Sequence, residues 1–472
     1  MLASCCKSAV LTRNQLPGRA LIQCRHKYKK KWAETRRSNA PVDLAIDAFD
    51  GMYGNGLYER QWPSIRLALL SLPKYCAVIN NFSGRRDEVQ ARLVELGAMP
   101  LETLVRKVQP PHATVAAHSG DSDAAADSAK SVSTAASDDR PSDVNDRLRS
   151  LAGIANQENA GEEAAAEEDA EFMPATKFVE ETIEPPPMRI DLSSIERSQH
   201  PVVQDEFPPS IPYFLKVLVF PRGDVTRFPA PKKDLSGFHE YYLMDAASLL
   251  PVIALGLRPG DIVYDMCAAP GGKSLTMLQT LLPGHLTCND VSESRTKRLS
   301  KVLQDFFPLD TAEMPCRVQI TNHDGAWYYS EADDKPDRIL VDAPCTNDRV
   351  SCTENENNMF TSRRTADRNA APQRQLELLM CACDGVKVGG TVVYSTCSLS
   401  PVQNDGVVHL AITELERLHK IKMAVVDTSP FREIFNRVFR FLNTGSVYGQ
   451  TILPFVPNNF GPMYFSKLLR LQ

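Results

Sequence analysis

Cys345 and Cys397 each close an apolar run that reads as a strand, the first in Val341-Asp342-Ala343-Pro344-Cys345, the second in Val392-Val393-Tyr394-Ser395-Thr396-Cys397-Ser398. Loops at the carboxyl ends of parallel strands are where an open α/β sheet places its chemistry. A thiolate is a strong nucleophile near neutral pH. Two such thiols, downstream of a glycine-rich turn at Gly271-Gly272, point to covalent catalysis on a substrate held beside a cofactor. Their spacing does not say which thiol attacks. Cys381 and Cys383, two apart and without a histidine spaced for zinc, read as helix core, and no metal site is expected.

The cofactor side is carried by Asp265-Met266-Cys267-Ala268-Ala269-Pro270-Gly271-Gly272-Lys273-Ser274, which follows a strand and opens a helix. Small residues there let a ligand approach the backbone and the helix N-terminus. A phosphate-binding loop is excluded, because G-x-x-x-x-G-K-S needs glycine where Cys267 stands, and no G-x-G-x-x-G fingerprint is present. Asp290, about 25 residues after Asp265, is placed to accept from a ribose diol. Asp324-Gly325 follows the third strand and Asp342 ends the fourth. Any one of these aspartates alone reads as a cap or turn residue. Four in order at strand ends suit a nucleoside cofactor with a cationic amino-acid tail.

The elements that position these residues alternate from Pro208 onward. Ile262-Val263-Tyr264 precedes a helix over 273–282, and His285-Leu286-Thr287-Cys288 precedes one over 292–306. Val318-Gln319-Ile320, Arg338-Ile339-Leu340-Val341, a helix over 373–383, Thr391-Val392-Val393-Tyr394 and a helix over 406–418 follow. This is the rhythm of a doubly wound parallel sheet, an α/β fold. Gln450-Thr451-Ile452-Leu453 and Met463-Tyr464-Phe465 read as late antiparallel strands.

The run from Cys267 to Lys273, with Asp342-Ala343-Pro344-Cys345 and Ser395-Thr396-Cys397-Ser398, resembles the Sun-domain, or RsmB-like, RNA cytosine C5-methyltransferases over residues 208–472. The resemblance implies a Rossmann-like sheet and S-adenosyl-L-methionine as cofactor. Cys267, Ala268, Ala269, Pro270, Gly271, Gly272 and Lys273 would then hold its methionine part, and Asp290 its ribose. Asp324 and Gly325 would lie near adenine, with Arg295 supporting the pocket and Asp342 at its edge. Carbon 5 of cytosine is too weak a nucleophile to be methylated until a thiolate adds at carbon 6. Asp342 is the implied partner of N3, by being protonated or sharing a proton. The family implies Cys397 as nucleophile and Cys345 as the thiol that assists release.

The amino-terminal region, around Trp62-Pro63-Ser64-Ile65-Arg66 and Tyr75 to Phe82, is similar to the mitochondrial ribosomal-RNA branch of that family. That branch implies small-subunit ribosomal RNA as substrate. A long acidic insertion and the pairing Asp342-Ala343 depart from the pattern, and no RNA-binding domain of the kind some relatives carry is recognisable. The resemblance therefore also implies a helical-repeat partner of the mitochondrial termination-factor type. The competing readings are a transfer-RNA methyltransferase of the same chemistry and a noncatalytic ribosome assembly factor.

Composition bounds the rest. The chain has 472 residues, 43% hydrophobic and 24% charged, with formal charge −5, so RNA attraction has to be local. Arg222, Lys232, Lys233, Arg349, Arg363, Arg364 and Arg368 are the basic residues flanking the motifs. The 12 cysteines lack C-x-x-C pairs, which favours a reduced compartment, and no apolar run spans a membrane. Residues 1–33 contain no acid but interleave Lys and Arg with small and apolar residues. This is the composition of a mitochondrial transit peptide, a basic tail being the alternative, and it predicts the matrix as location. Residues 34–115 read as a helical region, with Pro63 in a first turn. Residues 116–172, rich in Ala, Ser, Asp and Glu, read as a disordered acidic insertion, and 173–472 as the methyltransferase domain.

Overall fold

The computed structural model describes residues 40–55, 58–105, 192, 195, 200–309, 316–326 and 335–472. The expected transit peptide and acidic insertion lie outside them. α1 (Pro41–Gly54) and α2 (Trp62–Leu69) each start with proline in the first turn, where its missing N–H removes no intrahelical bond. Phe49, Tyr53, Trp62 and Ile65 from these helices form one apolar cluster with Phe360, Leu399 and Leu453 of the later chain. β1 (Cys76–Ile79), α3 (Arg86–Glu95), β2 (Met99–Pro100) and α4 (Leu101–Leu104) follow.

After residue 200 come β3 (Val202–Val203), β4 (Val217–Val219) and β5 (Tyr241–Met244). Strands on both sides of the insertion make one small antiparallel sheet, in the order β2-β4-β1-β5. The wholly helical reading of 34–115 is corrected here: the helices are present, but Cys76-Ala77-Val78-Ile79 is buried throughout and forms a central strand. A short apolar run of this length has no helical period to betray which element it is. The described residues from Ala40 to Gln472 form one compact unit.

Apart from β3, the strands of the large sheet come after α5 (Leu249–Ala254). This part is built by β6 (Ile262–Asp265), α6 (Gly272–Gln279), β7 (His285–Asn289), α7 (Glu293–Phe306), β8 (Arg317–Thr321) and β9 (Arg338–Asp342). Then come α8 (Asp348–Thr353), α9 (Thr365–Gly385), β10 (Thr391–Thr396), α10 (Asp405–Glu414), β11 (Met423–Val426) and α11 (Ser429–Phe435). β12 (Arg440–Phe441), β13 (Gly449–Leu453) and β14 (Met463–Arg470) close the chain. The sheet order is β12-β13-β14-β10-β9-β6-β7-β8, with β11 on β14 and β3 on β11.

β8, β7, β6, β9 and β10 run parallel, whereas β14 joins β10, β13 and β11 antiparallel. Alternate residues feed two cores: Val263, Leu340 and Val393 on one face, Tyr264, Ile339, Val341, Val392 and Tyr394 on the other. The direction of strand addition reverses between β6 and β9, which makes their carboxyl ends the switch-point crevice of an open α/β sheet. Asp265 and Asp342 end those two strands. Among the described residues no helix is long and apolar enough to cross a membrane.

Candidate active site

The turn between β6 and α6 is shaped by its glycines. Gly271 has φ +112°, a conformation other residues rarely adopt, and a Cβ there would lie 3.0 Å from Leu299 Cδ1. A Cβ on Gly272 would meet Tyr242 Cε1 at 3.1 Å. The turn is tied down by Ala268 N donating to Asn289 O at 2.7 Å and by Arg295 Nη2 donating to Ala269 O at 2.6 Å. Asp265, Cys267, Ala268, Ala269, Pro270, Gly272, Lys273 and Asp342 line one cavity. Tyr242, Met244 and Ser248 complete it. These three come from β5 and the turn after it, and carry no motif by which sequence could have found them.

Two buried carboxylates, Asp265 at the start of this turn and Asp290 just after β7, are incompletely paired. Asp265 Oδ2 accepts from Ser274 Oγ at 2.6 Å, while Asp265 Oδ1 is buried without a hydrogen bond. Burial pushes the Asp265 carboxyl up to about 7, against the Ser274 bond and with help from the neighbouring Asp342 charge. Asp290 Oδ2 likewise accepts no hydrogen bond, although Arg295 Nη2 stands 3.3 Å away. A buried acceptor left in this state is costly unless a ligand donor completes it.

Asp290 and Arg295 adjoin the cavity through the Ala269 carbonyl rather than lining it. Asp324 and Gly325 follow β8 and are joined to the turn by Asn289, whose Nδ2 donates to Met266 O and His323 O at 3.1 and 2.9 Å. A Cβ on Gly325 would lie 2.6 Å from Met266 Cγ, so this position admits only glycine without a shift. Arg374 of α9 donates to Asp324 Oδ1, as does Ala326 N at 2.9 Å. Arg374 escaped sequence reading because a lone arginine on a long helix has no pattern.

The thiols lie on the other side of Lys273. β9 and β10 pair in register with Asp342 opposite Ser395, and Ser395 Oγ donates to Asp342 Oδ1 at 2.7 Å. Lys273 Nζ donates to Asp342 Oδ2, also at 2.7 Å. Beyond these strands Cys345 Sγ and Cys397 Sγ stand 3.0 Å apart, both free thiols. Asn347 N donates to Cys345 Sγ at 3.4 Å. The hydrogen bond with Cys345 pushes the Cys397 pKa up, with burial and the Cys345 and Asp342 charges adding to it and Lys273 opposing. Burial works against the Lys273 charge, but Asp342 outweighs it and the lysine pKa is raised. At neutral pH the site therefore rests with a Cys397 thiol beside a lysine ammonium. Burial and the Asp265 charge push the Cys267 thiol up as well.

Of the basic residues expected to meet RNA, Arg349 is corrected: it is half-buried and donates to Gly461 O at 2.7 Å, Asn459 Oδ1 at 2.8 Å and Ala68 O at 3.1 Å. It fastens the chain to itself. Lys233 pairs with Asp305 and Arg364 with Asp367, Arg222 stacks over Phe455, and Arg368 over Phe360. Lys232 and Arg363 are exposed. Cys383 is buried in the core, and Cys381 packs against it, as expected.

A family model described as 16S rRNA methyltransferase RsmB/F matches residues 252–468, from within α5 to β14. A Xenopus laevis protein called 5-cytosine rRNA methyltransferase NSUN4 is 37% identical, covering 99% of this chain and 100% of its own. The chain belongs to the RsmB/F, or Sun-domain, RNA cytosine-C5 methyltransferases. The RsmB/F match contains the turn from Cys267 to Lys273 and both thiols. A Mus musculus relative named tRNA (cytosine(34)-C(5))-methyltransferase, mitochondrial, is 33% identical over 60% of this chain and 78% of its own. Among solved structures, a methyltransferase homologue from Pyrococcus horikoshii covers 93% of this chain and 100% of its own, at 17% identity and TM-score 0.47.

Proposed function

We propose that this RsmB/F enzyme methylates carbon 5 of a cytosine in small-subunit ribosomal RNA of the mitochondrial matrix, with S-adenosyl-L-methionine as cofactor. The observation that carries this reading is the Cys345–Cys397 pair at 3.0 Å beside the Lys273–Asp342 ion pair. The residues present fit the cofactor: the orphaned oxygens of Asp265 and Asp290 suit the N–H and O–H donors of an amino-acid tail and a ribose diol, and the glycines leave room beside the backbone. When bound, the cofactor supplies an electrophilic methyl group. Asp265 and the turn from Cys267 to Lys273 hold its tail, Asp290 its ribose, and Asp324 with Gly325 border the adenine.

The chain's own residues prepare the base. As the Cys397 sulfur adds to carbon 6 its proton passes to the Lys273–Asp342 pair, and carbon 5 becomes nucleophilic. As negative charge spreads to N3, the Lys273–Asp342 pair offers a proton from a group already held within the site. This is the shared-proton form of the role expected of Asp342, supported by its two oxygens accepting from Lys273 and Ser395. Once the methyl group is on carbon 5, the proton at that carbon passes to solvent, the Cys397–carbon 6 bond breaks, and the departing sulfur takes back through the Lys273–Asp342 pair the proton lent to N3. Cys345, one hydrogen bond from Cys397, assists that release.

Ribosomal rather than transfer RNA is supported by extent of likeness. The relative named for rRNA aligns over 99% of the chain and the one named for mitochondrial tRNA over 60%. The basic residues largely engaged within the chain support a second protein, of helical-repeat type, that helps hold the RNA. A noncatalytic assembly role is disfavoured by the paired thiols. The deciding experiment is transfer of a labelled methyl group from S-adenosyl-L-methionine to ribosomal RNA by wild type and Cys397→Ala. Equal incorporation by the two proteins overturns the assignment, and bisulfite sequencing of organellar RNA after depletion identifies the nucleotide.

A further inference from the structure

The pairing of β9 with β10 ends at Asp342 and Ser395, with Ala343 N donating to Ser395 O at 2.9 Å, yet the thiols carried past these ends remain 3.0 Å apart. Thr346 Oγ1 and Ser398 Oγ meet directly at 3.0 Å and Gln403 bonds Thr346, but the largest set of bonds across this gap falls on one carboxylate. Asp348, in the first turn of α8, is fully buried. Its Oδ1 accepts from Thr346 Oγ1 at 2.6 Å and from Ser398 Oγ at 3.1 Å. Its Oδ2 accepts from Leu399 N at 2.7 Å and from Tyr53 OH at 2.9 Å. Its own backbone N donates to the carbonyl of Cys397 at 3.3 Å. Thr346 directly follows one thiol and Ser398 directly follows the other.

We infer that Asp348 is a positioning residue that holds the two cysteine loops against each other, and that Tyr53 of α1 completes the clamp from the amino-terminal region. All four donors are uncharged, so no counter-ion explains why a carboxylate is kept there. Charge-assisted hydrogen bonds are about twice as strong as neutral ones, which is what a carboxylate adds at a point where two loops must be held. Tyr58 reinforces the same contact, its OH donating to Leu399 O at 2.9 Å. The two tyrosines give the helical region a catalytic purpose that a docking module lacks.

The functional weight of the clamp rests on Cys397 attacking and Cys345 releasing, so the test has one arm that depends on this reading and one that does not. In the independent arm, oxidised glutathione is added to the RNA-free full chain, and formation of the Cys345–Cys397 disulfide, with two reduced glutathiones as co-product, is followed by peptide mass spectrometry. Pairing is expected to slow about tenfold in Asp348→Asn and severalfold in Tyr53→Phe, the scale of a lost hydrogen bond to a charged group. In the dependent arm, single-turnover reactions compare covalent RNA adduct with released product. The adduct share is expected to rise by a similar factor while KM for RNA stays within about twofold.

Mere loss of folded protein lowers both adduct and product and leaves their ratio alone. Pairing rates equal to wild type in both variants overturn the clamp, whatever the methylation result. Slowed pairing in a protein whose wild type forms neither adduct nor product faults the catalytic reading and upholds the clamp. Tyr53→Phe, which removes one hydroxyl from a helix outside the cofactor site, decides the matter should Asp348→Asn fail to fold.

Discussion

Lys273 Nζ donates to Asp342 Oδ2 at 2.7 Å, joining the first turn of α6 to the end of β9 across the switch point of the sheet. The lysine belongs to the cofactor turn by sequence and to the thiol site by contact. Its side chain is 11% exposed and that of Asp342 32%, so the pair faces the cavity and is only partly screened by water.

Lys273→Met is therefore expected to lower the methylation rate at saturating substrates by roughly 100-fold or more, the scale of general acid–base assistance. Single-turnover rates check this. A loss confined to KM would mean that the lysine only helps bind the cofactor.

Cys345→Ser is expected to form the carbon 6 adduct and to release it slowly, leaving RNA attached to protein on a denaturing gel. Cys397→Ser should leave none. The reverse pattern exchanges the two roles, which the spacing of the cysteines alone leaves open.

The carboxyl of Asp265, raised to about 7 by burial, makes both stability and binding depend on pH. The folded state holds this proton more tightly than the unfolded chain, whose carboxyl titrates near 4, so the contribution to stability is present below about pH 4 and is lost as pH rises through about 7. A cationic cofactor tail favours the ionised form. Cofactor affinity measured by calorimetry should thus strengthen between about pH 6 and pH 8, and binding near pH 7 should release a proton. Affinity that is flat over this range would show that Asp265 does not face the cation.

Gly271→Ala places a Cβ 3.0 Å from Leu299 on a backbone at φ +112°, whereas Gly260→Ala, at φ +86°, meets nothing within 4 Å. Both should lose stability through backbone strain, by about 1–3 kcal/mol in thermal or denaturant unfolding. Only Gly271→Ala should also weaken cofactor binding. Equal affinity in the two variants would remove the turn from the cofactor site.

What sequence made legible, and what it did not, follows from how local each signal is. The turn at Gly271, the thiols at Cys345 and Cys397 and the aspartates at 265, 290, 324 and 342 sit at strand ends that alternate visibly with helices. Their residue types are those the chemistry needs. The strand Cys76–Ile79 escaped because its four buried residues have no period, and its partners Val217–Val219 and Tyr241–Met244 lie more than a hundred residues away in sequence. Arg349 was misread because charge is visible in sequence and burial is not. Asp348 and Tyr53, separated by 295 positions, meet only in three dimensions, and no spacing rule reaches that far.

The small sheet has a consequence for how this chain can change. Its central strand β1 comes before the acidic segment and both of that strand's neighbours, β4 and β5, come after it, so the chain departs from and returns to a site fixed by ladder bonds on each side. The entropy of closing a connection grows by only about 0.6 kcal/mol for each doubling of its length. A change in the length of the connection between β1 and these later strands is therefore expected to cost little, and the geometry at the thiols, held by other bonds, to survive it.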